Sequence, residues 1–160
     1  RSVDIKNIGP DVAKGLKRGT NVAGGSYQPL VQQIIKELYD RGKGNGDRKF
    51  TEDVYYNTGL AIYSIAFEGA RLAIKNGGWP LTPDKIKTGL ESLKNYDANG
   101  LIAPITVTAQ DHGGGGKTRI EMWDGEKWVA QTDWIAGFQD EVWSVVKEQS
   151  ADFAKSETQK

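Results

Sequence analysis

The chain has 160 residues and a mass of 17.6 kDa, long enough for one domain with a core of its own. Its 21 Lys and Arg balance 21 Asp and Glu, so no net field draws it to nucleic acid or an anionic membrane. Cysteine is absent, which excludes disulfides and thiolate chemistry; 38% hydrophobic and 26% charged residues fit neither a disordered nor a membrane-embedded chain.

No run reaches the roughly 18 apolar residues of a membrane span. The polar opening Arg1-Ser2-Val3-Asp4-Ile5-Lys6 is not a signal peptide, and a chain that does not begin with methionine reads as a processed or truncated product.

Residues 1–26 carry little helical periodicity, and 15–26 read as a short extended segment closed by a turn at Gly24-Gly25. Pro29 opens a helix, with Leu30, Val31, Ile34, Ile35, Leu38 and Tyr39 on one face; the glycines of 42–46 end it. A long helix is predicted over 51–75. Val54, Tyr55, Leu60, Ile62, Tyr63, Ile65, Phe67, Leu72 and Ile74 leave it almost no polar stripe, which predicts burial on most sides, with Phe67 in the core. Gly59 and Gly69 would then admit a neighbouring backbone.

Thr82-Pro83 starts a short helix whose inner face is Ile86, Leu90 and Leu93. Residues 101–108 are rich in Ile, Val and Thr and predict a strand, with Pro104 placing it at an edge. Asp124-Gly125-Glu126 between 119–123 and 127–132 predicts a hairpin. A last helix over 137–154 shows Phe138, Val142, Val145, Val146 and Phe153 on one face, followed by a frayed tail over 155–160. Few of the strands have an evident partner within the chain, so the pattern reads as part of a larger α/β unit.

Catalytic and cofactor motifs fail on inspection. Gly113-Gly114-Gly115-Gly116-Lys117-Thr118 ends like a phosphate-binding loop, but Asp111 stands where the motif requires glycine and the sequence beyond alternates like a strand. His112 is the only histidine and reads as a turn residue beside a glycine run rather than a metal ligand or general base. No metal site, cofactor or enzymatic activity is expected. Trp123, Trp128 and Trp134 suggest a sheet clamped on a helix, because no basic patch supports base stacking.

Tyr55, Tyr56 and Asn57 fall in the first turn of the long helix, where free amides and the positive end of the helix dipole suit a ligand carboxylate. A tyrosine adds a flat apolar face with a polar tip. The other reading places both tyrosines in the core.

Four segments carry a resemblance. They are Tyr27-Gln28-Pro29-Leu30-Val31, Asp53-Val54-Tyr55-Tyr56-Asn57-Thr58-Gly59-Leu60, Leu101-Ile102-Ala103-Pro104-Ile105 and Ile120-Glu121-Met122-Trp123-Asp124-Gly125. In this order they resemble the C-terminal part of the type I periplasmic substrate-binding proteins of ABC transporters, the leucine/isoleucine/valine-binding family.

The resemblance implies a fragment of a two-lobed α/β fold with parts of both lobes. Residues 1–50 would belong to the second lobe, 51–109 to the first with the long helix, and 110–160 to a hairpin and helix crossing back. It further implies a receptor that delivers an amino acid or related carboxylate, aromatic ones included, to ABC permease subunits. Its location would be periplasmic, or extracellular and lipid-anchored in a Gram-positive source. Tyr55, with Tyr56 and Asn57, would contact the ligand. A ligand-sensing domain of a receptor or transcription regulator is the alternative. Apolar surface left open by a missing lobe predicts a homodimer or an exchanged element, the hairpin and last helix moving about a hinge at 110–116.

Overall fold

The computed structural model describes residues 3–157. Its elements in chain order are α1 (Val3–Ile8), β1 (Lys17–Thr20), α2 (Pro29–Ile34), α3 (Val54–Gly77), α4 (Pro83–Leu90), β2 (Arg119–Trp123), β3 (Trp128–Ala130) and α5 (Gln139–Glu157). A π-helical turn, Ile35–Tyr39, continues α2, and a 3₁₀ turn, Arg48–Glu52, leads into α3.

The helix starts follow the sequence. Pro29 and Pro83 open α2 and α4, and the Thr82 hydroxyl accepts the Lys85 N–H at 3.3 Å. The expectation for 1–26 missed α1, a single turn and a half whose Ile5 is buried among Ala13, Trp123 and Trp128. A helix this short leaves no periodicity to read.

Strands β1, β2 and β3 form an antiparallel sheet in that order, so the described strands do find partners within the chain. Arg18 lies opposite Glu121, and Trp123 opposite Trp128. The tryptophan pair meets edge to face, 5.7 Å between centroids, and holds the hairpin against Ile5 of α1. Trp134 lies instead beneath the Arg119 guanidinium, 4.4 Å from its ring centroid.

The strand expected over 101–108 is absent. Ile102 bridges Val22 and Ile105 bridges Tyr96 as single pairs, with Pro104, which has no N–H, between them. Leu101, Ile102 and Ala103 are buried all the same, and the first two join the main core with Val31, Ile35, Ala61 and Ala98. The apolar character of this run serves core packing, not a ladder.

Helix α3 lies on that core and on α4 with one face only. Its buried residues are Asn57, Ala61, Gly69 and Ala73, whereas Tyr63, Phe67 and Ile74 are 66%, 72% and 44% exposed. Phe67 is therefore not a core residue of this chain, and burial on most sides does not hold. Small residues make the contact with α4 close: a Cβ on Gly89 would collide with the Gly69 carbonyl oxygen, and one on Gly69 with the Leu90 side chain. Gly59 has nothing near it and admits no such approach.

The apolar face of α5 is also open: Val142, Val145, Val146 and Phe153 are all exposed, as is Phe138 just before the helix. The helix continues to Glu157, through the start of the tail expected to fray; 158–160 lie outside the described residues.

Candidate functional site

The start of α3 is fixed by its own cap and by one buried side chain. Asp53 accepts the Tyr55 N–H at 2.8 Å. Asn57, fully buried, donates from Nδ2 to the carbonyl oxygens of Ala23 (2.8 Å) and Gly25 (3.1 Å). The first turn of α3 is thereby bolted to the Gly24-Gly25 turn. Asn57 Oδ1 is buried without a hydrogen-bond partner.

The three predicted residues sit together but in unlike surroundings. Tyr55 projects outward, 75% exposed, and Asn57 lies wholly inside. Tyr56 is partly buried against the main core. Burial, then the neighbouring Tyr39, raises the pKa of its phenol above the ordinary value.

The 24–27 turn closes on the hairpin. Gly25 has φ +94°, a left-handed conformation natural to glycine, and Gly24 lies so near the Arg18 guanidinium that a Cβ would come within 2.6 Å of it. Tyr27 donates from its hydroxyl to the Trp128 carbonyl at 2.8 Å and accepts the Trp128 N–H at 3.1 Å. Burial, and next the Glu121 charge, raise the Tyr27 pKa.

Arg18 and Arg119 grip the two oxygens of Glu121, which is 1% exposed. Arg18 bonds Oε2 at 2.7 and 3.2 Å, and Arg119 bonds Oε1 at 2.6 and 3.0 Å. The Arg18 guanidinium also stacks 4.2 Å from the Trp128 ring centroid. Between these groups and the start of α3 opens a cavity of about 410 Å³, walled by Arg18, Gly24, Tyr27, Glu52, Val54 and Trp128 among others. Its size suits a small molecule, and its walls combine aromatic faces with charges of both signs.

Sequence reasoning finds the start of α3 and misses this cavity. The signal is present in 119–123, where alternation puts Arg119, Glu121 and Trp123 on one face of a strand. What pairs with that face, Arg18 and the 24–27 turn, lies about a hundred residues earlier.

His112 is elsewhere. Its Nε2 lies 3.0 Å from Glu91 Oε1, tying the 110–116 loop to the end of α4. The glycine run beyond it enters β2 rather than a helix. Among the described residues no group of three His, Asp or Glu is placed to hold a metal ion, and no helix is long and apolar enough to cross a membrane.

No protein-family model matches the sequence, and no curated protein matches it. Solved structures do. One, described as an ABC transporter permease from the Pseudomonas fluorescens group, is 32% identical, with a TM-score of 0.79 over 92% of this chain and 38% of that one. Another, a branched-chain amino acid ABC transporter from Thermus thermophilus with bound valine, is 20% identical, with a TM-score of 0.65 over 83% of this chain and 36% of that one. The chain thus spans less than two-fifths of either structure. Its fold is that of part of a type I periplasmic binding protein.

Proposed function

We propose that this chain is the ligand-contacting part of an ABC-transporter solute receptor for an amino acid or related carboxylate. Its partners in that role are ABC permease subunits, and its place is the periplasm or, lipid-anchored, the outer surface. Likeness of fold over 92% of the chain to a structure 32% identical carries this reading, and the valine bound by the Thermus thermophilus protein supports an amino acid as the ligand. Residues 1–50 and 110–160 would then serve one lobe and 51–109 the other.

Tyr55 is the first contact. Its ring is held out to solvent by a capped, bolted helix turn, so a ligand can cover it without rearrangement of the backbone. Tyr56, packed partly on the main core, and Asn57, whose amide fixes the turn beneath, complete the first turn of the helix that presents it. No catalytic step is assigned: the role is binding and release. Turnover that is lost on substitution of a residue of this chain would contradict that.

The test is calorimetric titration with valine, phenylalanine and benzoate, for the chain and for Tyr55→Ala. Loss of the aromatic contact should weaken binding by about 1–3 kcal/mol. Equal affinity in the variant would remove Tyr55 from the site.

A further inference from the structure

The cavity between the hairpin and the start of α3 has walls that bonds within this chain hold in place. Tyr27 exchanges two hydrogen bonds with the Trp128 backbone, and Asn57 holds Gly25, so the 24–27 turn is tied to both sides. Asp124 accepts the backbone N–H groups of Glu126 and Lys127 at 2.8 Å each, which fixes the turn from which these two residues line the cavity. Arg18 and Arg119 share the buried carboxylate of Glu121, two cations against one anion, so the cluster keeps a surplus positive charge.

Charges of both signs therefore face the same space. Arg18 and Lys127 stand on the side of the sheet and hairpin, with Lys127 Nζ 6.0 Å from the Tyr27 ring centroid. Glu52, at the end of the 3₁₀ turn before α3, stands on the other side, and Glu126 adds a carboxylate from the hairpin. The surplus charge of the arginine cluster and Lys127 thus balance Glu52 and Glu126. Arg18 commits Nε and Nη2 to Glu121, which leaves Lys127 as the direct partner for an anion. A guest of a single charge is attracted by one set of groups and repelled by the other, whereas a zwitterion satisfies both.

We propose that Lys127 and Glu52 are specificity-determining residues of this cavity: Lys127 takes the ligand carboxylate and Glu52, with Glu126, its ammonium. A ligand must then carry both charges on adjacent atoms to bind well. The inference rests on the transport reading, which admits amino acids and simple carboxylates alike, and adds the residues that tell them apart.

The experiment is a nuclear magnetic resonance titration of the isotope-labelled chain at neutral pH with three ligands: valine, isovalerate, which is valine without its amine, and isobutylamine, which is valine without its carboxylate. Valine should bind at least about 10-fold more tightly than either, with saturable shifts at the Ser26, Lys127 and Trp128 amides. Lys127→Gln should weaken valine about 10-fold and leave isobutylamine within about 2-fold, and Glu52→Gln should weaken valine as much and leave isovalerate unchanged or tighter. Amide spectra like those of the parent chain show that the variants fold; should Glu52→Gln not fold, the three ligands on the unaltered chain and Lys127→Gln decide. Isovalerate binding as tightly as valine, or valine affinity unchanged in Lys127→Gln, would overturn the assignment and leave the transport reading standing. Failure of all three ligands to bind would overturn both.

Discussion

Replacing Gly89 by alanine tests the seam between α3 and α4. In an exposed helix, Gly to Ala gains about 1 kcal/mol from propensity. Here the new Cβ would collide with the Gly69 carbonyl oxygen and stand 2.8 Å from the Ala73 amide nitrogen and 2.9 Å from its Cβ. Two of those atoms are backbone and cannot rotate away, so α4 must lift from α3. Overpacking of this kind costs about 1–3 kcal/mol, and backbone on both sides places the cost at the upper end. After the propensity gain, the net loss is about 1–2 kcal/mol, or a melting temperature lower by roughly 2–8 °C for a chain of this size. Gly59→Ala is the control, because nothing lies within 4 Å of its Cβ position; it should raise the melting temperature by roughly 2–4 °C. Thermal unfolding of both variants decides the matter. Equal behaviour of the two would refute the close approach of the helices.

Other perturbations separate buried from exposed groups. Leu101→Ala, at 0% exposure, should cost about 2–5 kcal/mol by denaturant titration, whereas Phe67→Ala, 72% exposed, should cost less than about 1 kcal/mol in the monomer. Glu121→Gln leaves two guanidinium groups without their buried counter-charge and should destabilise by about 3–5 kcal/mol in the same assay. Backbone N–H groups of Lys127 and Glu126, in that order, hold the Asp124 carboxyl below the ordinary aspartate pKa. Its lowered value means the hairpin turn is stabilised above the unfolded aspartate pKa and loses that support as pH falls through the folded one. Acid titration followed at the Glu126 and Lys127 amides should show this, and Asp124→Ala should abolish the transition.

The elements legible in the sequence are those with local causes. Proline and a capping threonine open α2 and α4, and Asp124-Gly125 closes the hairpin. Sequence and structure part where tertiary context decides. The apolar run 101–108 reads alike as strand or as buried irregular chain, and Pro104 with the single bridges to Val22 and Tyr96 makes it the latter. Helix α3 is apolar on several faces, which in sequence signals burial, yet small residues make its tightest contacts, and of its large ones Tyr63, Phe67 and Ile74 face water while Tyr56, Leu60 and Ile65 pack on the core. At the site, Tyr55, Tyr56 and Asn57 are contiguous and so are legible together. Their different surroundings are not, because Asn57 is buried by Ala23 and Gly25, more than thirty residues upstream. The Arg18–Glu121 pair, 103 residues apart, is beyond any local pattern.

The proposal that a solute binds at the start of α3 is tested most directly by residue-resolved nuclear magnetic resonance of the isotope-labelled chain titrated with valine and phenylalanine. Affinity in such receptors comes from enclosing the ligand on most sides, and this chain spans 38% and 36% of the two solved structures it resembles. Binding at about millimolar strength is therefore expected, with saturable shifts at the Tyr55, Tyr56 and Gly25 amides and none at Phe153. The absence of saturable shifts up to about 20 mM, or shifts confined to residues remote from α3, would contradict the account.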